Sequence, residues 1–271
     1  GGRSRHGPPG GGATGRAAAV AAAVTLFPSG ETTPGGQAAA TSAGPSEGEV
    51  RPVTDSVRLL SFAAEAARAD PAAAPRPDQF VYTRSTGDGT AEREIWLSVD
   101  GTRDGLLNHG DGTTTPMPGC RDGRMAVHKG PDPLPGVTEP CEPRPAYRSD
   151  LPTDVDGMLA YLDANAGGEP GSVNARGKDV LALINEDLLP PASRAALYEA
   201  AARVPGLSVV PDARDAAGRA GVGITWPVPA GSSPEAKPVV IVFDAETYEL
   251  LGTNFHAIVE QAVVDQAGQQ P

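Results

Sequence analysis

The chain has 271 residues and a formal net charge of −12. Its 34 Gly and 28 Pro exceed average usage and assign much of it to loop and linker, leaving one folded body of about 150–200 residues, enough for a core. Before position 51, Arg3, Arg5 and Arg16 balance Glu31, Glu47 and Glu49, so the body carries the acid excess; without a basic stripe it repels phosphate backbones, which excludes nucleic-acid binding.

Residues 1–16 read as a flexible Gly/Pro-rich basic tail. Residues 17–27 form an apolar run with basic residues before it and none close behind. That polarity fits a segment entering a membrane from the cytoplasmic side. The run is shorter than the roughly 20 residues a spanning helix needs, and its length suits a truncated anchor or a signal core. Residues 28–52 read as linker, and the folded domain is expected over 53–271.

Thr54 is positioned to cap a helix over Asp55 to Ala69 whose inner face holds Val57, Leu60, Ala64 and Ala67; Asp70-Pro71 stops it. Gln79 to Arg84 reads as a strand with Phe80, Tyr82 and Arg84 on one face and Val81 and Thr83 on the other. A turn at residues 87–89 leads to a second strand, Glu94 to Val99, which turns at Asp100-Gly101 and returns through Leu106-Leu107. Residues 108–150 form an irregular, Pro-rich insert containing both cysteines, Cys120 and Cys141. Their spacing is not a metal pattern. A disulfide between them would close a loop of about 20 residues, contribute on the order of 3 kcal/mol and place the domain in an oxidising compartment; two free thiols are the alternative.

Thr153 is the candidate cap of a helix with Asp154 and Asp156 in its first turn, where the helix dipole favours anions, and with Val155, Met158, Leu159 and Leu162 inward. A second helix is predicted from Gly177 to Leu188, and a third from Pro190-Pro191 through Val204, packing Leu197, Ala200 and Ala201. The period then switches to two: strands at Leu207 to Val210 and Gly221 to Trp226 flank a turn region at Asp212 to Gly218. A hairpin follows, Val239 to Phe243 returning from Tyr248 with Asp244 as a turn residue, and a last strand runs near Ala257 to Val264. Gly268 to Pro271 reads as loose. The fold class expected is α+β: a curved, half-barrel-like antiparallel sheet with helices on one face.

Chemistry is sparse. His6, His109, His128 and His256 are not at metal spacing, and the Asp-Gly pairs lack an EF-hand register. Gly10, Gly12 and Gly15 match a dinucleotide fingerprint only in letters, with no strand before them. No nucleophile elbow or phosphate loop is present, so no enzyme activity, cofactor or metal is expected. The aromatics Tyr82, Trp96, Trp226 and Tyr248 read either as core and cross-strand packing or as the lining of a ligand-binding face.

The segments Asp78 to Arg84, Arg93 to Gly101, Leu151 to Asp154, Leu197 to Gly206, Phe243 to Tyr248 and Ala262 to Gly268 resemble an actinobacterial family of single-pass membrane proteins of uncharacterised function, often encoded beside extracytoplasmic-function sigma factors. The resemblance spans roughly residues 50–271. It implies an outer domain similar to the lipoprotein-carrier and sigma-regulator fold, on the extracytoplasmic side of the membrane and tethered or exported through the N-terminal segment. The function implied is non-enzymatic sensing or binding of an envelope ligand or protein partner in a sigma-factor or envelope-stress pathway. The alternative is a lipid or lipoprotein carrier using the concave sheet face.

Overall fold

The computed structural model describes residues 54–271 other than 88, 170, 186 and 230. The expectations for the basic tail, the apolar run and the linker lie outside the described residues.

The chain opens with helix α1 (Ser56–Ala69). Asp55, rather than Thr54, caps it, accepting from the Val57 N–H at 2.8 Å. Leu59, Leu60, Ala63, Ala64 and Ala67 face the core, whereas Val57 is exposed. Strands β1 (Phe80–Gly87), β2 (Arg93–Ser98), β3 (Gly105–Asn108) and β4 (Thr114–Met117) follow as a meander, then β5 (Arg124–Lys129) and β6 (Asp132–Pro140). Helices α2 (Val155–Ala164), α3 (Val173–Ile184) and α4 (Pro191–Ala201) precede strands β7 (Ser208–Arg214), β8 (Ala220–Thr225), β9 (Val240–Phe243), β10 (Leu250–Thr253) and β11 (His256–Val264).

Nine strands form one curved, open antiparallel sheet in the order β4-β3-β2-β1-β11-β10-β9-β8-β7. The chain's last strand therefore lies at the centre, joining the N-terminal meander to the C-terminal one. The fold is α+β, with the helices packed beside this sheet. All four helices share a core with the inner side chains of β8 and β9: Leu59 and Leu60, Met158 and Leu162, Val180 and Ile184, and Leu197 and Tyr198 meet Val222, Ile224, Ile241 and Phe243. Tyr198 meets Phe243 edge-on, with centroids 5.5 Å apart. Towards β1 and β2 the inner face is covered instead by Ala146, Tyr147 and Leu188 over Val81 and Val99.

The expected irregular insert contains regular structure: β4 joins the main sheet, and β5 and β6 form a separate two-stranded ribbon. Every residue of β6 is exposed and three are Pro (Pro133, Pro135 and Pro140), so the alternation that betrays a half-buried strand is missing. The Cys120–Cys141 disulfide ties the base of the ribbon, with Cα atoms 5.9 Å apart, and the Cys120 N–H donates to the Gly101 carbonyl at 2.9 Å, fixing that base to the β2–β3 turn. An isolated ribbon is marginal in water. Reduction is expected to cost about 3 kcal/mol for a loop this long, and the loss should appear first as hydrogen exchange and proteolysis within 121–140. Equal protection of those residues in the oxidised and reduced protein would contradict this role.

Candidate functional site

A groove of about 780 Å³ opens onto the inner sheet face between α1, α4 and the strands β10 and β11. Its size falls in the range of small-ligand sites. Sequence builds it in three steps. The side of α1 that turns from the core presents Ala66 and Ala69, small residues that keep the helix wall low. The inner face of β11 presents Val263 and Gln261, whose register partners Val81 and Thr83 lie on the inner face of β1. The β9–β10 turn then closes one end with Tyr248 and Leu250.

That turn has a local cause. The Asp244 carboxylate accepts from the Glu246 and Thr247 N–H groups at 2.9 and 2.8 Å, and these amides hold it below the usual carboxylate range. Asp244 is thus a turn residue, as its sequence context indicates. Tyr248 takes φ +59°, and its ring packs on Phe62 of α1 at 4.8 Å.

The groove is mostly aliphatic but carries charge at defined points. Asp70, at the C-terminus of α1, pairs with Arg194 of α4 at 2.5 Å. Burial alone raises the Asp70 pKa, but the Arg194 hydrogen bond, the Ala72 N–H and the Arg194 charge together leave it below its ordinary value. Arg219 enters from the β7–β8 turn. It pairs with Asp215, whose side chain is fully enclosed, at 2.6 Å, and donates to the carbonyls of Leu251 at 2.8 Å and Ile258 at 2.6 Å. Those carbonyls belong to β10 and β11, which share one register pair, Gly252 with Ala257. Arg219 therefore bridges a parting in the sheet beneath the groove. Asp187 lies where this groove adjoins a second cleft, of about 880 Å³, beside the disulfide. Burial pushes the Asp187 carboxyl up, although the charge and hydrogen bond of Arg148 pull it down.

The four aromatics singled out from sequence do not converge. Tyr248 alone lines the groove. Trp226 lies inside the helix core, 2% exposed. Tyr82 and Trp96 sit on the outer face with Phe80 and Val264, with ring centroids 5.3 Å apart, under the segment that follows β11. That segment lies against the sheet: the Trp96 Nε1–H donates to the Gln269 carbonyl at 2.6 Å, and the Gln270 amide donates to Glu94 at 2.7 Å. Glu94 also accepts from the Tyr82 hydroxyl at 2.9 Å; burial and this carboxylate push the Tyr82 phenol up to about 12.

Sequence reasoning missed Asp70, Arg194 and Arg219 as site residues. Asp70 reads only as a helix stop, and its partner is 124 positions away. The Asp215/Arg219 spacing was the available signal.

Among the described residues, no group of three or more His, Cys, Asp or Glu is placed to hold a metal, and no helix is long and apolar enough to cross a membrane. His109 bonds Thr115 at 2.8 Å. The Nε2 of His256 is buried with no hydrogen-bond partner among the described residues, and burial first, then the charge of Arg93, lowers its pKa from 6.5. The folded protein thus holds this imidazole neutral, while the unfolded chain takes up a proton near pH 6.5. The associated stability is present above that pH and is lost as pH falls through the depressed folded value. Denaturant midpoints measured from pH 7.5 down to 5 should fall less steeply for His256→Gln than for the native chain; parallel profiles would contradict this.

Comparisons with protein-family models, with curated proteins and with solved structures found no match.

Proposed function

We propose that this chain is a non-enzymatic extracytoplasmic binding domain that takes a ligand with an apolar chain into the groove between α1, α4 and β10–β11, and that occupancy is what it senses. The observation that carries this reading is the groove itself: about 780 Å³ open beside the helices on the inner sheet face, walled by Ala66, Ala69, Leu189, Leu250 and Val263, with the Asp70–Arg194 pair, Arg219, Asp187, Glu249, Glu260 and Gln261 among its polar groups. An aliphatic wall with charged groups along its border suits a ligand that has a hydrocarbon part and a polar head group. The disulfide supports an oxidising compartment. The resemblance of residues 50–271 to an outer-domain family supports a place in an envelope or sigma-factor pathway.

A long-chain fluorescent fatty-acid probe should bind saturably, one per chain. Ala66→Trp, which fills the groove from the α1 side, should weaken binding at least tenfold while the circular dichroism spectrum stays native. Unchanged binding by that variant would remove the groove from consideration. The carrier reading uses the same groove and requires in addition that the protein move lipid between vesicles; a protein that binds the probe without accelerating transfer is a sensor.

A further inference from the structure

The outer face carries a second feature, independent of the groove. Phe80, Tyr82 and Trp96 form an aromatic shelf with Val264, flanked by Leu106 and Ala262. Bare, it would be an apolar patch in the middle of a sheet face. Residues 265–271 cover it. Asp265 is the anchor, accepting from Arg76 at 2.8 Å and Gln79 at 2.9 Å. Beyond it the segment turns back, with the Asp265 N–H donating to the Gln269 side chain at 3.1 Å and Gly268 at φ +86°. It meets the shelf at three points: Ala267 against the cluster, the Gln269 carbonyl on Trp96 Nε1, and the Gln270 amide on Glu94. Apart from Ala267, every residue from 265 onward is exposed. The covering is therefore a strap with a firm hinge and few contacts past it, whereas β1 beneath is paired with β11 throughout and with β2 from Phe80 to Ser85. Segments with few buried contacts open at far lower free energy than a central strand.

We propose that this strap is exchangeable, and that the shelf accepts the same segment from a second copy of the chain. The occupant follows from the contacts: the strap presents an apolar methyl, a main-chain carbonyl and a side-chain amide at the spacing the shelf requires, and a second copy presents the same three. Exchange leaves each shelf with identical contacts, so the dimer costs little beyond association. The strap in cis competes at the high effective concentration of a tethered group. The net charge of −12 opposes association, so exchange strengthens as salt screens it.

Two distinguishable full-length chains test this, one carrying Leu106→Cys and the other Ala267→Cys, mixed under mild oxidation with the native disulfide intact. The expected result is a covalent species joining position 106 of one chain to position 267 of the other by peptide mapping, with a higher yield at raised salt. A chain carrying both substitutions that bridges fully within itself, while the mixture yields no such species, would overturn the proposal and make the strap a fixed part of the domain. Hydrogen exchange gives a second reading on the native chain: the Gln269 and Gln270 amides should exchange at least 100-fold faster than that of Tyr82, and comparable rates would also overturn it.

Discussion

Arg219→Met is expected to destabilise the domain by about 3 kcal/mol, no more than the lower end of what breaking a buried ion pair costs, because Asp215 is enclosed but the Arg219 side chain is 37% exposed. Asp215 is fully enclosed, and the Arg219 Nε donates to it at 2.7 Å. Methionine fills similar space but leaves the carboxylate without its cation. The loss is held to the lower end because the Ala217 and Arg219 backbone N–H groups still donate to Asp215 at 3.0 and 2.8 Å. A second consequence is specific to this sheet: without the guanidinium, the carbonyls of Leu251 and Ile258 lose their donor where β10 and β11 part. At roughly 2–4 °C per kcal/mol for a domain of this size, calorimetry should record a fall in Tm of roughly 10 °C, and exchange should rise first in 250–258. Asp215→Ala in the same chain should recover part of the loss, because the stranded charge is gone. A single Arg219→Met variant that melts with the native chain would show that the bridge contributes nothing.

Trp226→Ala should cost about 3–5 kcal/mol, the range for emptying a large aromatic site in a packed core. Trp226 closes the core between α3 and β8, against Val180, Ala201, Leu207 and Ile241. Its Nε1–H finds no acceptor among the described residues, so Trp226→Phe should cost less than volume alone implies, since it also removes an orphan donor. The counterpart is Gly177, where a Cβ would stand 2.8 Å or less from the indole carbons. Gly177→Ala therefore sets about 1–3 kcal/mol of overpacking against about 1 kcal/mol of gained helix propensity, and should come out mildly destabilising. The same substitution in the Trp226→Phe background should be neutral or favourable. Urea midpoints of the four chains decide the matter, and a Gly177→Ala that stabilises the native background would show that the ring has room to move.

These two sites mark where sequence reasoning fell short. The sequence places the start of this helix near Gly177, a residue type that weakens helix interiors. In the structure α3 begins at Val173, capped by Ser172, and Gly177 sits mid-helix because Trp226 needs the space. The caps of α1 and α2 are Asp55 and Asp154, each one residue beyond the Thr that the sequence offers; both residue types cap well, and only geometry chooses. The turn region placed at Asp212 to Gly218 is partly strand, since β7 continues through a bulge between Val210 and Ala213 to Arg214.

The hairpins were legible. Alternation puts Phe80 and Tyr82 on one face of β1, and the β1–β2 register then sets Trp96 opposite Tyr82, a pairing that comes from the structure alone. The polar turn at Asp244 marked the β9–β10 connection. The β5–β6 ribbon was not legible, because nothing in it is buried enough to alternate, and the strap was not, because its composition is that of a loose end. The groove was illegible for another reason. Its walls come from α1, α4 and β11, and its charged groups from positions as far apart as 70, 187, 194, 219, 249 and 260, so no local pattern carries it.

Hydrogen exchange of the full chain with and without a saturating long-chain fatty acid addresses the binding proposal most directly, since it reports where a ligand sits as well as whether it binds. Added protection is expected over 63–69 of α1, 247–251 at the β9–β10 turn and 258–263 of β11, with the strap at 265–271 and the disulfide cleft at 140–150 unchanged. Protection confined to the cleft, or no change at any of the three groove segments, would contradict it.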